Sequence, residues 1–173
     1  HVYDRYGYFA GTDRDRASDI NEAFQDKSVK AIFALVGGWG SALTLPYLNF
    51  DIIRKNPKII MGYSDITALL NGIHKQTGLV TYHGPNATSR WNNFTVQSAK
   101  AILFDGKSPD YKTPTITGDA LTTHKNRIQT IEPGQVSGQL IGGNLTVFSS
   151  LLGTPYLPDM KGKILFLEEI GES

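Results

Sequence analysis

Apolar residues in this chain fall in short runs broken by glycine, proline and polar turns, and the runs alternate between two spacings. Residues 17–24 (ASDINEAF) repeat apolar positions at helical intervals, with Ser18 or Asp19 as the capping side chain. Residues 29–36 (VKAIFALV) are nearly all apolar, the pattern of a short strand covered on both faces in a parallel sheet. Helical segments are predicted over 42–48 and 50–55, a second buried strand over 59–61, and a helix over 66–76 closed by Gly78. A third strand is expected at 79–82 and a helix at 95–103.

After Phe104 the pattern lapses. Residues 105–133 are rich in Thr, Lys, Asp, Gly and Pro without a sustained period, and read as a linker with one or two short strands at most. A strand is then predicted at 136–140, a helix at 145–152 led by Gly142-Gly143-Asn144, and a strand at 163–167. The alternation predicts an α/β fold, a layered parallel-sheet N-terminal domain followed by the start of a smaller C-terminal one. The expected boundaries are 1–104, a linker at 105–133, and 134–173.

Composition narrows the chemistry. Of 173 residues, 40% are hydrophobic and 19% charged, which reads as globular. A net charge of +1 gives no broad field for nucleic acid or an anionic membrane. The absence of cysteine excludes disulfides, thiolate metal sites and a cysteine nucleophile. No histidine cluster has metal-ligand spacing, and no apolar run approaches the roughly 18 residues of a membrane helix. The chain opens on His1-Val2-Tyr3 without methionine or signal peptide and stops directly after a strand-like run. Both ends read as cut, so missing targeting signals carry little weight.

Two glycine-bearing joints carry the candidate chemistry. In Gly62-Tyr63-Ser64-Asp65-Ile66 a strand passes abruptly into a helix. A hydroxyl there sits beside free backbone N–H groups at the positive end of a helix, as an attacking serine requires. The second glycine of the G-x-S-x-G elbow is missing, and Ser64 or Asp65 can equally be a helix cap. Gly37-Gly38-Trp39-Gly40 follows the first strand. It can bring a backbone N–H to a ligand, or simply turn the chain before Ser41. It matches neither glycine-rich nucleotide motif.

A hydroxyl nucleophile needs a base and a carboxylate to orient it. His74 lies about 15 Å along the helix from Ser64, His1 is terminal, and His124 falls in the linker. His83, at the end of a strand, can reach the same sheet edge or be structural. Glu168 and Glu169 end the last strand, where glutamates are commonly solvated.

The blocks GGWGSALTLPYLNFDIIRKNPKIIMGYSDITALLNGIHKQTGLVTYHGP (37–85) and GQLIGGNLTVFSSLLGTPYLPDMKGKILFLEEIGE (138–172) resemble the LD-carboxypeptidase family of serine peptidases. Residues 4–24 (DRYGYFAGTDRDRASDINEAF) extend the likeness. The microcin C immunity peptidases belong to the same group. The resemblance implies a Ser-His-Glu triad, with Ser64 as nucleophile and Glu168 as its acid, Glu169 being the neighbouring alternative. It implies an oxyanion hole from the N–H of Asp65 and one from the glycine pair, Gly38. It sets Gly37, Trp39, His83 and Asn144 near substrate. The family's catalytic histidine lies well beyond its glutamate, and none of the four histidines here matches that position, so the chain reads as a fragment. Many members carry Arg before the glycine pair, where this chain has Val36, which leaves recognition of a substrate carboxylate open.

The function implied is release of D-Ala from murein tetrapeptides, with no metal or cofactor, in a cytoplasmic homodimer. The alternatives are hydrolysis of peptidyl-nucleotides, with Trp39 or Trp91 stacking on a base, and a non-catalytic module that binds peptidoglycan peptides.

Overall fold

The computed structural model describes residues 1–112 and 129–171. Helix α1 (Asp13–Gln25) starts at a full capping box. Thr12 Oγ1 accepts from the Asp15 N–H, and the Asp15 carboxylate accepts from the Thr12 N–H. Strands β1 (Ala31–Phe33), β2 (Ile59–Gly62) and β3 (Tyr82–His83) form a parallel sheet in the order β1-β2-β3. A 3₁₀ helix (Ser41–Tyr47), which contains Pro46, and α2 (Phe50–Lys55) connect β1 to β2. Helix α3 (Thr67–Thr77) connects β2 to β3. Helix α4 (Asn93–Leu103) follows, capped by the Asn92 side chain. Strands β4 (Leu140–Asn144) and β5 (Ile164–Glu168) form a second parallel pair, joined through α5 (Leu145–Ser149).

The α/β class with parallel strands is as expected, but several strands are shorter or shifted. The run 29–36 pairs with β2 only over Ala31–Phe33. Its partner strand ends at Gly62 where the chain turns, and beyond it the carbonyls of Ala34 and Leu35 accept from the N–H groups of Ala87 and Thr88. Nor is the run 29–36 covered on both faces: Phe33, Leu35 and Val36 are exposed. The expected strand at 79–82 is displaced to Tyr82–His83 because the preceding residues close α3. Gly78 is left-handed, the Leu79 N–H donates to Thr77 Oγ1, and the His74 ring bonds the Leu79 carbonyl. The strand expected at 136–140 begins instead at Leu140, and Val136 is exposed. The expected linker lies partly outside the described residues, as does His124.

One core holds these elements. Phe24, Leu45, Ile53, Ile73 and Leu151 are each at most 1% exposed, so a residue just past α5 packs with residues from α1 to α3. Full burial of such a side chain stabilises by about 1.5–3 kcal/mol. Gly72 lets α3 approach Leu45: a Cβ there would lie 2.5 Å from Leu45 Cδ2. No described helix is long and apolar enough to cross a membrane.

Candidate active site

The site grows from the end of β2. Gly62 is the last residue of the strand, and its α-hydrogens face Ile66, Ala34 and Asn86. A Cβ there would meet Ile66 Cγ2 at 2.7 Å and both Ala34 Cβ and Asn86 Oδ1 at 3.0 Å. Tyr63 continues in extended geometry, with its N–H on Asn86 Oδ1. Ser64 then takes φ 61°, the one positive φ outside glycine among the described residues. A left-handed serine costs about 1–2 kcal/mol and is retained where surrounding structure enforces it. The chain proceeds into a 3₁₀ turn (Ser64–Ile66) and then α3. This is a strand, a strained serine and a helix in succession, the geometry of a nucleophile elbow. Ile66 stands where the second elbow glycine was missed, and its methyl packs directly on Gly62.

The glycine loop closes over this turn. A Cβ at Gly37 would lie 3.1 Å from Ser64 Oγ, so glycine there leaves room beside the hydroxyl. Asp65 is buried and fastens the loop: its Oδ2 accepts from the Ser41 N–H at 2.8 Å and from Ser41 Oγ at 2.6 Å. Its own N–H lies in the first helical turn, where no preceding turn supplies an acceptor. Gly38 has φ 115° and nothing within 4 Å of its Cβ position, so its side is open. Trp39 is 72% exposed and stacks on Phe9 with ring centroids 5.4 Å apart. Together with Val36 and Leu35 it borders a cleft of about 590 Å³ that reaches Asp65. Trp91 does otherwise. Its ring lies 6.4 Å from Phe33 and its N–H donates to the Asn86 carbonyl, so it covers the sheet.

The second sheet is bonded to the start of α3. Thr67 Oγ1 accepts from the Asn144 N–H at 3.0 Å, and Asn71 Nδ2 donates to the Gly142 carbonyl at 2.7 Å. Glycines at 142 and 143 permit this approach. A Cβ at Gly142 would sit 1.9 Å from the Phe166 carbonyl oxygen, and one at Gly143 would sit 2.5 Å from Thr67 Oγ1. These glycines belong to β4 itself, which leads through Asn144 into a helix at Leu145 as expected, although that helix ends at Ser149. The ladder ends by pairing Asn144 with Glu168.

The two glutamates differ sharply. Glu169 accepts from Asn144 Nδ2, from the N–H and hydroxyl of Thr146, and from the Ile170 N–H. The Thr146 hydroxyl leads the set of donors that holds its carboxyl down to about 2. Glu168 Oε1 is buried and has no hydrogen-bond partner among the described residues. Asn144 is 4% exposed, and its Oδ1 accepts from the Val147 N–H while its Nδ2 holds Glu169. Its side chain thus caps α5 and holds Glu169 in place. His83 stands between the sheets, with ring centroids 6.4 Å from Tyr63 and 5.3 Å from Phe166. His1 bonds Asp19 at the chain's surface, and His74 is held by the Leu79 carbonyl. Ser41, Thr67 and Asn71 went unnoticed in the sequence because short polar residues beside glycine read as ordinary turn or helix positions. No group of His, Asp and Glu able to hold a metal occurs among the described residues.

A model of the LD-carboxypeptidase N-terminal domain matches residues 1–84, and one of the family's C-terminal domain matches residues 137–173. The chain belongs to the LD-carboxypeptidase family. It is 38% identical over 168 residues to a Bacillus subtilis protein named "Probable murein peptide carboxypeptidase", covering 97% of this chain and 51% of that protein. It is 34% identical over 190 residues to the Escherichia coli "Microcin C7 self-immunity protein MccF", covering 96% and 54%. The crystal structure of an MccF-like protein from Bacillus anthracis superposes with a TM-score of 0.82 at 36% identity, over 98% of this chain and 55% of that one. The chain thus spans about half the length of the family members it matches.

Proposed function

We propose that this chain carries the nucleophile and triad acid of a serine LD-carboxypeptidase that releases D-Ala from murein tetrapeptides. The observation that carries the reading is Ser64, held left-handed at the joint of β2 and α3 with Gly37 clearing space beside its hydroxyl. Ser64 Oγ attacks the carbonyl that joins an L-configured centre to the terminal D-residue. The developing oxyanion is met by the N–H groups of Asp65 and Gly38. A histidine takes the serine proton and delivers it to the departing D-Ala amine, leaving an acyl-enzyme that water hydrolyses. Glu168 orients that histidine through the carboxylate oxygen that lacks a partner here. Glu169 is fully engaged at the start of α5 and serves as scaffold. The resemblance puts the histidine in the family's C-terminal domain, downstream of Glu168. The same family expectation supplies a cytoplasmic homodimer and a boundary between the two domains in 105–133.

The test is D-Ala release from a murein tetrapeptide by this chain and by a form extended to its relatives' length. Release by the extended form alone, lost in Ser64→Ala, is the expected result. Full activity of Ser64→Ala would sink the assignment. The exposed Trp39–Phe9 stack beside the glycine loop favours a second substrate class, peptidyl-nucleotides, in which an aromatic ring receives the base. Hydrolysis of the two substrates by the extended form, compared in one assay, separates the readings.

A further inference from the structure

We propose that His83 is the positioning residue for Glu168, a partly exposed imidazole at the edge between the two sheets that holds the glutamate-bearing strand over the serine elbow. The inference rests on the assignment of Glu168 as triad acid. His83 pairs with Gly62 in the β2–β3 register, two residues before Ser64. Its ring reaches across to the other sheet: a Cβ at Gly143 would lie 3.2 Å from His83 Nδ1, and Phe166 meets the ring edge-on. On the ladder Gly143 comes one residue before Asn144, and Phe166 two before Glu168, the pair that ends it. One imidazole thus touches the nucleophile sheet and both strands of the second sheet, so a shift of its ring moves the end of β5 relative to Ser64.

The electrostatics agree with this placement. Burial pushes the His83 imidazole below its ordinary value of 6.5, while the Glu168 carboxylate draws it part of the way back. The titratable groups that face it are Glu168 from β5 and Tyr63 from the elbow, and His74 of α3 lines the same cleft of about 280 Å³. That cleft gives the ring a route to solvent protons. Near neutral pH the uncharged imidazole leaves the free oxygen of Glu168 to the catalytic histidine. In acid the imidazolium competes for that oxygen and withdraws it from the triad.

Two measurements test this. NMR titration of His83 in this chain should give a midpoint below 6.5, and Glu168→Gln should move it lower still, because the attracting charge is gone. A midpoint indifferent to Glu168→Gln overturns the pairing. In the extended, active form, His83→Phe preserves the packing and removes both nitrogens. It should lower kcat about 10- to 100-fold with KM nearly unchanged, and His83→Gln should recover part of that loss. Wild-type kcat in His83→Phe would show that the ring only packs, and would overturn the positioning role. Failure of the carboxypeptidase assignment shows separately, as Ser64→Ala retaining activity, and leaves the NMR result standing.

Discussion

Replacing Ser64 by glycine should stabilise the fold relative to alanine while both replacements abolish catalysis. Ser64 has φ 61°, and its hydroxyl takes part in none of the hydrogen bonds found among the described residues. Alanine therefore removes the nucleophile but keeps a Cβ in a left-handed backbone, with its penalty of about 1–2 kcal/mol. Glycine removes that penalty. It also brings back unfolded-chain entropy of roughly 0.5–1 kcal/mol. The difference leaves Ser64→Gly more stable than Ser64→Ala by about 0.5–1 kcal/mol. For a chain of this size, 1 kcal/mol corresponds to about 2–4 °C in Tm. Urea unfolding and calorimetry on the three proteins give the comparison directly, with unchanged m-values showing that the native and unfolded states are comparable. A glycine variant no more stable than the alanine variant would mean that the turn stores no strain, and would remove the physical reason for reading it as an elbow.

Two further outcomes follow from the same geometry. Gly37→Ala should depress kcat/KM by about 100-fold in the active form, because its methyl would lie 3.1 Å from Ser64 Oγ, while Tm changes by only a few degrees. Glu169 has a folded-state pKa of about 2 against an ordinary 4.5, so its contribution to stability is complete above 4.5 and is lost as pH falls from 4.5 toward 2. A Tm series from pH 6 to pH 2 should show that acid slope in the wild type and a flatter one in Glu169→Gln.

How much of this was legible in the sequence depended on range. Helix α3 and the strand β2 were visible because local spacing decides them, whereas α1 was read only from 17 on: its cap is Thr12, and Ser18 and Asp19 lie inside the helix. The glycine loop and the Ser64 joint were visible because a glycine between a strand and a helix marks a sharp turn. Where the strands end was hidden, because pairing partners decide it. The run 29–36 looks like one long strand until β2 turns away at Gly62. Gly142 and Gly143 were not assigned to the strand for the same reason. Only the approach of Thr67 and Phe166 shows that they lie inside a strand. The contrast between Glu168 and Glu169 also needed three dimensions, since Asn144, Thr146 and the Ile170 N–H occupy one carboxylate while an oxygen of the other has no partner among the described residues.

Distance in sequence is what the start of α3 overcomes. Ser64 and Glu168 are brought to one region by a few polar contacts at the first turns of that helix, Thr67 to Asn144 and Asn71 to Gly142. Apolar packing alone is non-directional and would tolerate a sliding contact between the sheets. Hydrogen bonds that buried Thr67 accepts and buried Asn71 donates at backbone groups fix the register, because a slip of one residue would leave those groups unpaired at a penalty of about 1–3 kcal/mol each. Asp65 does the same on the other side by tying Ser41 and the glycine loop to the elbow. The turn that exposes Ser64 is therefore the hub from which both the glycine loop and the Glu168 strand are located. The chemistry proposed for this chain needs that arrangement as well as Ser64 itself.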